Sequence, residues 1–530
     1  MLADSVGRWQ DFYYAVAVKF SLRNPFCVFS LVLLWRVLLL VFTAQPIPAN
    51  DAFFFDGAVV NRLLHGHYFN PGVAEVLPIS GGQVYSAYPP LYQGVMLVWM
   101  TVFGTSVIAA MLLHLMLFAA SGFLTLAIVK KLFPPATGYA LAAWLFFGIT
   151  FGDRPDDLGH ALGLGSLFLV AKIISGNRSW KILVALALVL WCALYSSVIV
   201  GAFYFGAGFL TVMLAWWSGR KFVLFVPFFI AATLFATVTV GIATLEPLWW
   251  QGFLENSRQT PIRTVGLHLP HVMDLIKLVR TAPVFLLAAA ILPFLFTWRR
   301  LLAGEPWRFL LASITLAGGG MLLGAMTVVA SDYVSYVLFV QVILAAGLLT
   351  LADELFPAFK RWLRLALVGC AILISVRAVG LTTWGAACAW KNSYRQTHEI
   401  LRLEMESFVK NSVPVIISSP YLYCALEFGV QRPIHTDWYY NHATATAESD
   451  LMAMERLRPP KLVLTQFDYY RTFEPLLARL RQHPELVSIA LRDQAVVRTP
   501  DSIPLLRRVV QHISWAPVIV DLNWKNPPTP

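Results

Sequence analysis

Two carboxylates, Asp51 and Asp56, follow the first apolar run of this 530-residue chain, in a stretch that begins DAFFFDGAVVNRLLHGHYFNP. Three more, Asp153, Asp156 and Asp157, crowd with Arg154 into the segment GDRPDD at 152–157. Carboxylates in such settings move protons, hold substrate hydroxyls or ligate hard cations through oxygen. Farther on, Lys277 and Arg280 stand three apart, a spacing that puts them on one helical face. A guanidinium grips phosphate with two parallel hydrogen bonds and an ammonium acts as a point charge, so the pair suits a phosphate. His268 and His271 lie in the same loop, with no cysteine nearby, and a zinc site is not expected there. The plainer roles are helix capping for Asp51 and interfacial snorkelling for Lys277 and Arg280.

Those residues need a frame, and composition says what kind. Hydrophobic residues make up 58% of the chain and charged ones 13%, about half the charged share of a soluble domain, which makes it an integral membrane protein. The net charge of +11 sits in short loops between apolar runs and not in a basic, aromatic-interleaved stripe, so nucleic acid is excluded as a partner. The 5 cysteines form neither a disulfide framework nor a zinc spacing.

A spanning helix needs about 20 mostly apolar residues, and about eleven segments qualify. They are 26–43, 107–129, 138–151, 158–174, 182–197, 198–217, 222–244, 284–298, 309–329, 334–351 and 365–387. The first is read as a signal anchor that stays in the membrane. With the N-terminus in the cytoplasm, every basic cluster between spans falls on the cytoplasmic side, including Lys130–Lys131, Arg220–Lys221 and Arg299–Arg300. That agreement requires 91–103 to be a juxtamembrane helix and not a span. The outer face then carries the loop 44–106, the GDRPDD turn, the loop 245–283 and everything beyond about 389. Within the first loop, Val59, Leu63 and Leu64 recur at helical spacing, which predicts a helix lying on the outer surface with Asp51 near its start.

The chain is thus divided into a transmembrane part, 1–388, and an extracytoplasmic part, 389–530. In the second part VPVIIS (413–418) and KLVLT (461–465) read as buried strands, and 394–410, 447–457 and 474–481 read as helices. A small α/β domain with a short parallel sheet is expected there, and 523–530 reads as a frayed tail. Arg36 and Arg377 fall inside apolar runs, where charge is costly, with no carboxylate at matching depth in the sequence.

The first loop also carries a resemblance. DAFFFDGAVVNRLLHGHYFNP followed by Tyr88-Pro89-Pro90-Leu91-Tyr92 resembles the first external loop of bacterial GT-C glycosyltransferases of the protein O-mannosyltransferase and lipid A aminoarabinose transferase group. Asp51, Phe55, Leu63, Gly66 and Pro71 keep the group's spacing. Arg-Pro-Asp at 154–156 matches its second external loop. Ala52 stands where the group usually has a second acid, and Tyr195-Ser196-Ser197 stands where many members have a lysine.

The resemblance implies a polytopic α-helical membrane protein of the GT-C fold, in the bacterial cytoplasmic membrane. Its expected activity is transfer of a sugar from a polyprenyl-phosphate donor to an unidentified acceptor hydroxyl on the outer face, with inversion. Asp51 and Asp156 are the expected catalytic pair, and by resemblance the two would also ligand Mg²⁺ or Mn²⁺. Arg154, Lys277, Arg280 and Tyr333 would bind the donor phosphate. Asp56, Tyr88, Asp153, Asp157 and His268 would line the acceptor cleft. The rival class is a transporter or flippase for an anionic or lipid-linked substrate that would use Arg36 and Arg377. Against it, the carboxylates gather in external loops, and no repeat or pair of broken helices is visible.

Overall fold

A computed structural model describes residues 24–44, 47–48, 52–134, 154–217, 222–259, 284–289, 306–327, 339–355, 394–436, 450–494 and 515–526, with isolated positions between 361 and 387. Among these, five helices are long and apolar enough to cross a membrane: α1 (Pro25–Thr43), α4 (Val107–Leu132), α5 (Asp156–Ile174), α7 (Val198–Trp217) and the run Val223–Leu245 that contains α8 (Val226–Leu245). The shorter α6 (Trp180–Ser196) and α11 (Gln341–Leu355) and the 22-residue α10 (Pro306–Thr327) pack with them, and α9 (Pro247–Gln259) follows α8. The expected span at 138–151 and nearly all of 365–387 lie outside the described residues.

Lipid tails are as apolar as leucine, so helices associate in a bilayer through close packing. Gly163 of α5 illustrates this, because a Cβ there would sit 2.0 Å from the Tyr204 ring. The absent side chain lets Tyr204 of α7 lie against α5 and bring its hydroxyl within 3.0 Å of His160 Nδ1. Arg36 is buried on α1, with its guanidinium 5.6 Å from the centre of the Phe118 ring on α4. A cation over an aromatic face is one way to hold charge at membrane depth.

Between α1 and α4 the chain makes two further helices of 14 residues each. The second, α3 (Pro90–Phe103), opens on Pro90 and stops at Gly104, whose φ of 87° only glycine adopts freely. Its 14 residues reach about 21 Å, short of the roughly 30 Å hydrocarbon core. Tyr92, Gln93, Met96 and Met100 face inward while Val98, Val102 and Phe103 are exposed. The helix is thus too short for a span and leaves one apolar face uncovered.

The first, α2 (Ala52–His65), departs from the expectation of a surface helix. Every residue from Ala52 to Asn61 is buried, the charged Asp56 included. The C-terminal part of the chain encloses it. Phe53, Phe54, Phe55 and Val59 share one hydrophobic cluster with Tyr92 and Met96 of α3, Leu158 of α5, and Tyr421, Leu422, Trp515 and Ile519. Three buried phenylalanines contribute about 1.5–3 kcal/mol each. Gly57 admits the Asn70 side chain, whose amide donates to the Phe53 and Phe54 carbonyls at 2.9 and 3.1 Å. Gly66, at φ 82°, ends the helix.

Beyond α12 (Tyr394–Met405) lies a five-stranded sheet in the order β2-β1-β3-β5-β4. Its strands are β1 (Val415–Ile417), β2 (Pro433–His435), β3 (Lys461–Leu464), β4 (Leu486–Asp493) and β5 (Val518–Trp524). The expected parallel pairing holds for β1 with β2 and β3, but β5 runs antiparallel to both β3 and β4. Strand periodicity splits the faces. Ile417, Val463 and Ile519 pack into the cluster around α2, whereas Ile416, Leu462 and Val520 pack on α14 (Asp450–Leu457) and α15 (Glu474–Leu480). The frayed tail expected from 523 onward is corrected in part: β5 continues to Trp524, whose buried indole N–H donates to the Pro459 carbonyl at 3.0 Å.

Candidate active site

The turn 154–157 delivers Asp156 and Asp157 into the first turn of α5, where the helix dipole favours negative charge. The turn closes on itself through the Asp157 amide donating to the Arg154 carbonyl at 3.0 Å. The two neighbouring carboxylates then face different partners. Asp156 Oδ1 accepts from the Ser197 hydroxyl at 2.6 Å, and its Oδ2 lies 3.3 Å from Arg154 Nε. Ser197 occupies the break between α6 and α7, within the Tyr-Ser-Ser stretch where the resembled group often has lysine. The Asp157 carboxylate lies 2.8 Å from His114 Nδ1 on α4.

Arg154 is the open member, with its side chain 35% exposed against 6% for that of Asp156. Its guanidinium lies 5.3 Å from the centre of the Phe55 ring of α2, and Tyr88 meets the same ring edge-on at 4.9 Å. Phe55 therefore joins the segment between α1 and α4 to the turn 154–157, bringing Tyr88, Arg154 and Asp156 into one neighbourhood.

Asp56 points the other way. It has no exposed surface and accepts two hydrogen bonds, from Tyr92 at 2.8 Å and from Tyr423 of α13 (Ser419–Phe428) at 2.7 Å. The Tyr92 hydroxyl is also 3.0 Å from His114 Nε2. Burial pushes the Asp56 pKa up, against the opposing pull of His114 and the two hydroxyls. Burial and the neighbouring Asp56 likewise push the Tyr92 pKa well above its ordinary value. Asp56 and Asp157 were expected along a substrate cleft. The structure encloses Asp56 inside the protein and turns Asp157 toward a buried histidine.

Asp51, Asp153, His268, Lys277, Arg280 and Tyr333 lie outside the described residues. The residue after Asp51 opens α2, and the Phe53 amide donates to Ser419 Oγ at 3.2 Å, so α13 holds the start of that helix. His114, Tyr92, Tyr423 and Ser197 did not stand out in the sequence. One rule reaches His114, since an ionisable side chain inside an apolar span is a functional candidate by default.

Among the described residues, no three His, Cys, Asp or Glu side chains converge on one point. Asp156 faces a guanidinium, which is poor company for a divalent cation. These residues by themselves do not form the Mg²⁺ or Mn²⁺ site that the resemblance implies.

In fold the chain is like the polytopic membrane proteins of the GT-C type. More particularly, the chain is similar to the aminoarabinose transferase ArnT from Cupriavidus metallidurans, solved bound to undecaprenyl phosphate. The match has a TM-score of 0.51 at 14% identity and covers 93% of this chain and 97% of that one. The oligosaccharyltransferase AglB from Archaeoglobus fulgidus, in complex with an inhibitory peptide and a dolichol-phosphate, matches at 12% identity and a TM-score of 0.46, over 84% of this chain and 70% of that one. No protein-family model matches the sequence. No curated protein matches it either.

Proposed function

We propose that this protein is a glycosyltransferase that moves a sugar from a polyprenyl-phosphate donor to an acceptor hydroxyl on the outer face of the bacterial cytoplasmic membrane. The observation that carries the reading is the Arg154–Asp156 pair. It sits at the start of a membrane helix, half open to solvent, and rests on Phe55 of the first external loop. The ArnT-like fold supports it, because ArnT was solved with undecaprenyl phosphate.

In this mechanism Asp51 takes the proton of the acceptor hydroxyl. The acceptor oxygen bonds to the anomeric carbon as the bond from that carbon to the phosphate oxygen breaks. The electron pair leaves with the polyprenyl phosphate, and a single displacement inverts the anomeric centre. Arg154, together with Lys277, Arg280 and Tyr333, neutralises charge building on the phosphate. Asp156 holds Arg154 in place and, with Tyr88, Asp153 and His268, borders the acceptor. Residues 1–388 form the membrane part with a cytoplasmic N-terminus, and 389–530 form the extracytoplasmic part that closes over the first loop.

The test is turnover by the purified protein in nanodiscs, supplied in turn with polyprenyl-phosphate hexose, pentose and aminosugar donors and with envelope lipids as acceptors. Free polyprenyl phosphate should appear with at least one donor and vanish in a folded Asp51→Asn variant. Unchanged turnover in that variant would remove Asp51 from its role.

A further inference from the structure

A continuous line of buried hydrogen bonds crosses five elements and ends beside the candidate site. It runs from Tyr423 on α13 to Asp56 on α2, Tyr92 on α3, His114 on α4 and Asp157 on α5, with contacts of 2.7, 2.8, 3.0 and 2.8 Å. Asp56, Tyr92 and His114 have no exposed surface, and Tyr423 and Asp157 have little. We propose that His114 is a positioning residue that clamps Asp157 and so fixes the turn carrying Arg154 and Asp156, and that the C-terminal part of the chain sets His114 through Tyr423, Asp56 and Tyr92. The proposal rests on the glycosyltransferase reading only where it speaks of turnover.

Proton counting supports a directed line over incidental polar packing. Four contacts need four hydrogens. The two tyrosines and a neutral histidine supply three, so the fully bonded line carries one proton more than a neutral histidine beside two carboxylates. With Asp56 ionised, Tyr92 donates to it and His114 donates from both ring nitrogens. With Asp56 protonated, its hydroxyl donates to Tyr92, whose own hydroxyl turns to His114 Nε2. The two forms hold the same number of protons, and passage between them reverses two hydrogen bonds and breaks none. In both, the Nδ1–H of His114 faces Asp157. The clamp is therefore independent of where the extra proton resides, provided the line is intact.

The consequence for the site is geometric. Asp156 and Asp157 are consecutive in the first turn of α5. Ser197 holds the one and His114 the other, so the backbone at the start of the helix is tied on two sides. Loss of the His114 tie frees that turn to rotate and carries Arg154 off the Phe55 ring. A misplacement of ~1 Å at a reacting centre costs about 100-fold in rate.

The experiment uses the full-length protein in nanodiscs and separates the line from the activity. Asparagine at 114 places its amide near the Nδ1 position and keeps the donor to Asp157, whereas glutamine reaches toward the Nε2 position and keeps Tyr92 instead. With a polyprenyl-phosphate sugar as probe, His114→Asn should stay within about 10-fold of wild-type kcat. His114→Gln should lose about 100-fold in kcat, with KM for the donor and the melting temperature close to wild type. Equal losses in both variants, tracking melting temperature, would mean that the histidine only fills space, and would overturn the proposal. The second readout needs no turnover. In protein labelled with ¹⁵N-histidine, the His114 resonances, identified by their loss in His114→Gln, should report a protonated Nδ1 and should shift in Tyr423→Phe. Unmoved resonances in that variant would break the line even in an active enzyme. A wild-type protein that releases no polyprenyl phosphate from any donor, yet shows the shift, would refute the enzyme reading and keep the line.

Discussion

Asp56 and Asp156 make the instructive comparison. Both stand near Phe55 of α2, and both looked like site carboxylates. Asp56 ends up with no exposed surface and a hydroxyl on each oxygen. Asp156 ends up at a helix N-terminus, between a serine and a half-open arginine. A carboxylate whose lone pairs are taken by buried tyrosines organises the protein. One that shares a half-buried guanidinium lies next to a group that can meet a ligand.

The sharpest way to break that contrast is to remove each carboxylate and ask which loss appears in activity and which in stability. Asp156→Ala should lower turnover about 100-fold or more and cost less stability than the loss of Asp56, since it strands one buried hydroxyl, that of Ser197, and not two. Asp56→Ala should instead strand the Tyr92 and Tyr423 hydroxyls in the interior and destabilise the protein by about 3 kcal/mol or more, seen in thermal or denaturant unfolding. If the two phenotypes are exchanged, the roles assigned here are exchanged too.

A milder substitution sharpens the same point. Asparagine can accept from Tyr423 and donate to Tyr92, as a protonated Asp56 would, so Asp56→Asn should cost about 1 kcal/mol or less. The sign with pH follows from the raised pKa of Asp56, because a carboxyl that holds its proton more tightly when folded adds stability at low pH and loses it as pH rises through the folded value. Asp56→Asn should therefore gain on wild type as pH rises from the ordinary carboxyl value of 3.8 toward the raised folded one, in melting curves taken along that rise.

Glu404 gives the opposite sign in the same protein. Burial raises its pKa, but hydrogen bonds from Arg492 and Lys461 outweigh that and hold it below the usual 4.5. Its contribution is present above pH 4.5 and is lost as pH falls through the folded value. The melting-temperature gap between wild type and Glu404→Gln should be open at pH 7 and should close on acidification. The smallest effect expected is from chelation. EDTA should leave turnover unchanged, because Arg154 already occupies the carboxylate face of Asp156. Loss of turnover that Mn²⁺ restores would place a cation beside Asp156 and redraw its half of the comparison.

Much of the frame was legible in the sequence because hydropathy is a local property. The apolar runs at 26–43, 107–129, 158–174 and 198–217 became helices within a few residues of their expected ends. The runs VPVIIS and KLVLT became a parallel pair because both are buried on both faces. LVSIALRD gave no such signal. β4 is an edge strand with most of its side chains partly or fully exposed, and its pairing with β5 depends on a partner far along the chain. The surface placement expected for α2 failed for a related reason. Its hydrophobic spacing marks a helix with one covered face, and the second cover comes from α13, more than 350 residues away.

The residues alone determined that this chain lives in a bilayer, with five described helices long and apolar enough to cross it, and that five of its carboxylates collect in two short segments, 51–56 and 153–157. Side-chain polarity and run length suffice for that, since the cost of a polar group in hydrocarbon is paid residue by residue. Which acid is enclosed by tyrosines and which lies against a half-buried arginine was decided only by the folded chain. Burial is a property of what packs on a residue, and what packs on Asp56 is a tyrosine 367 positions later.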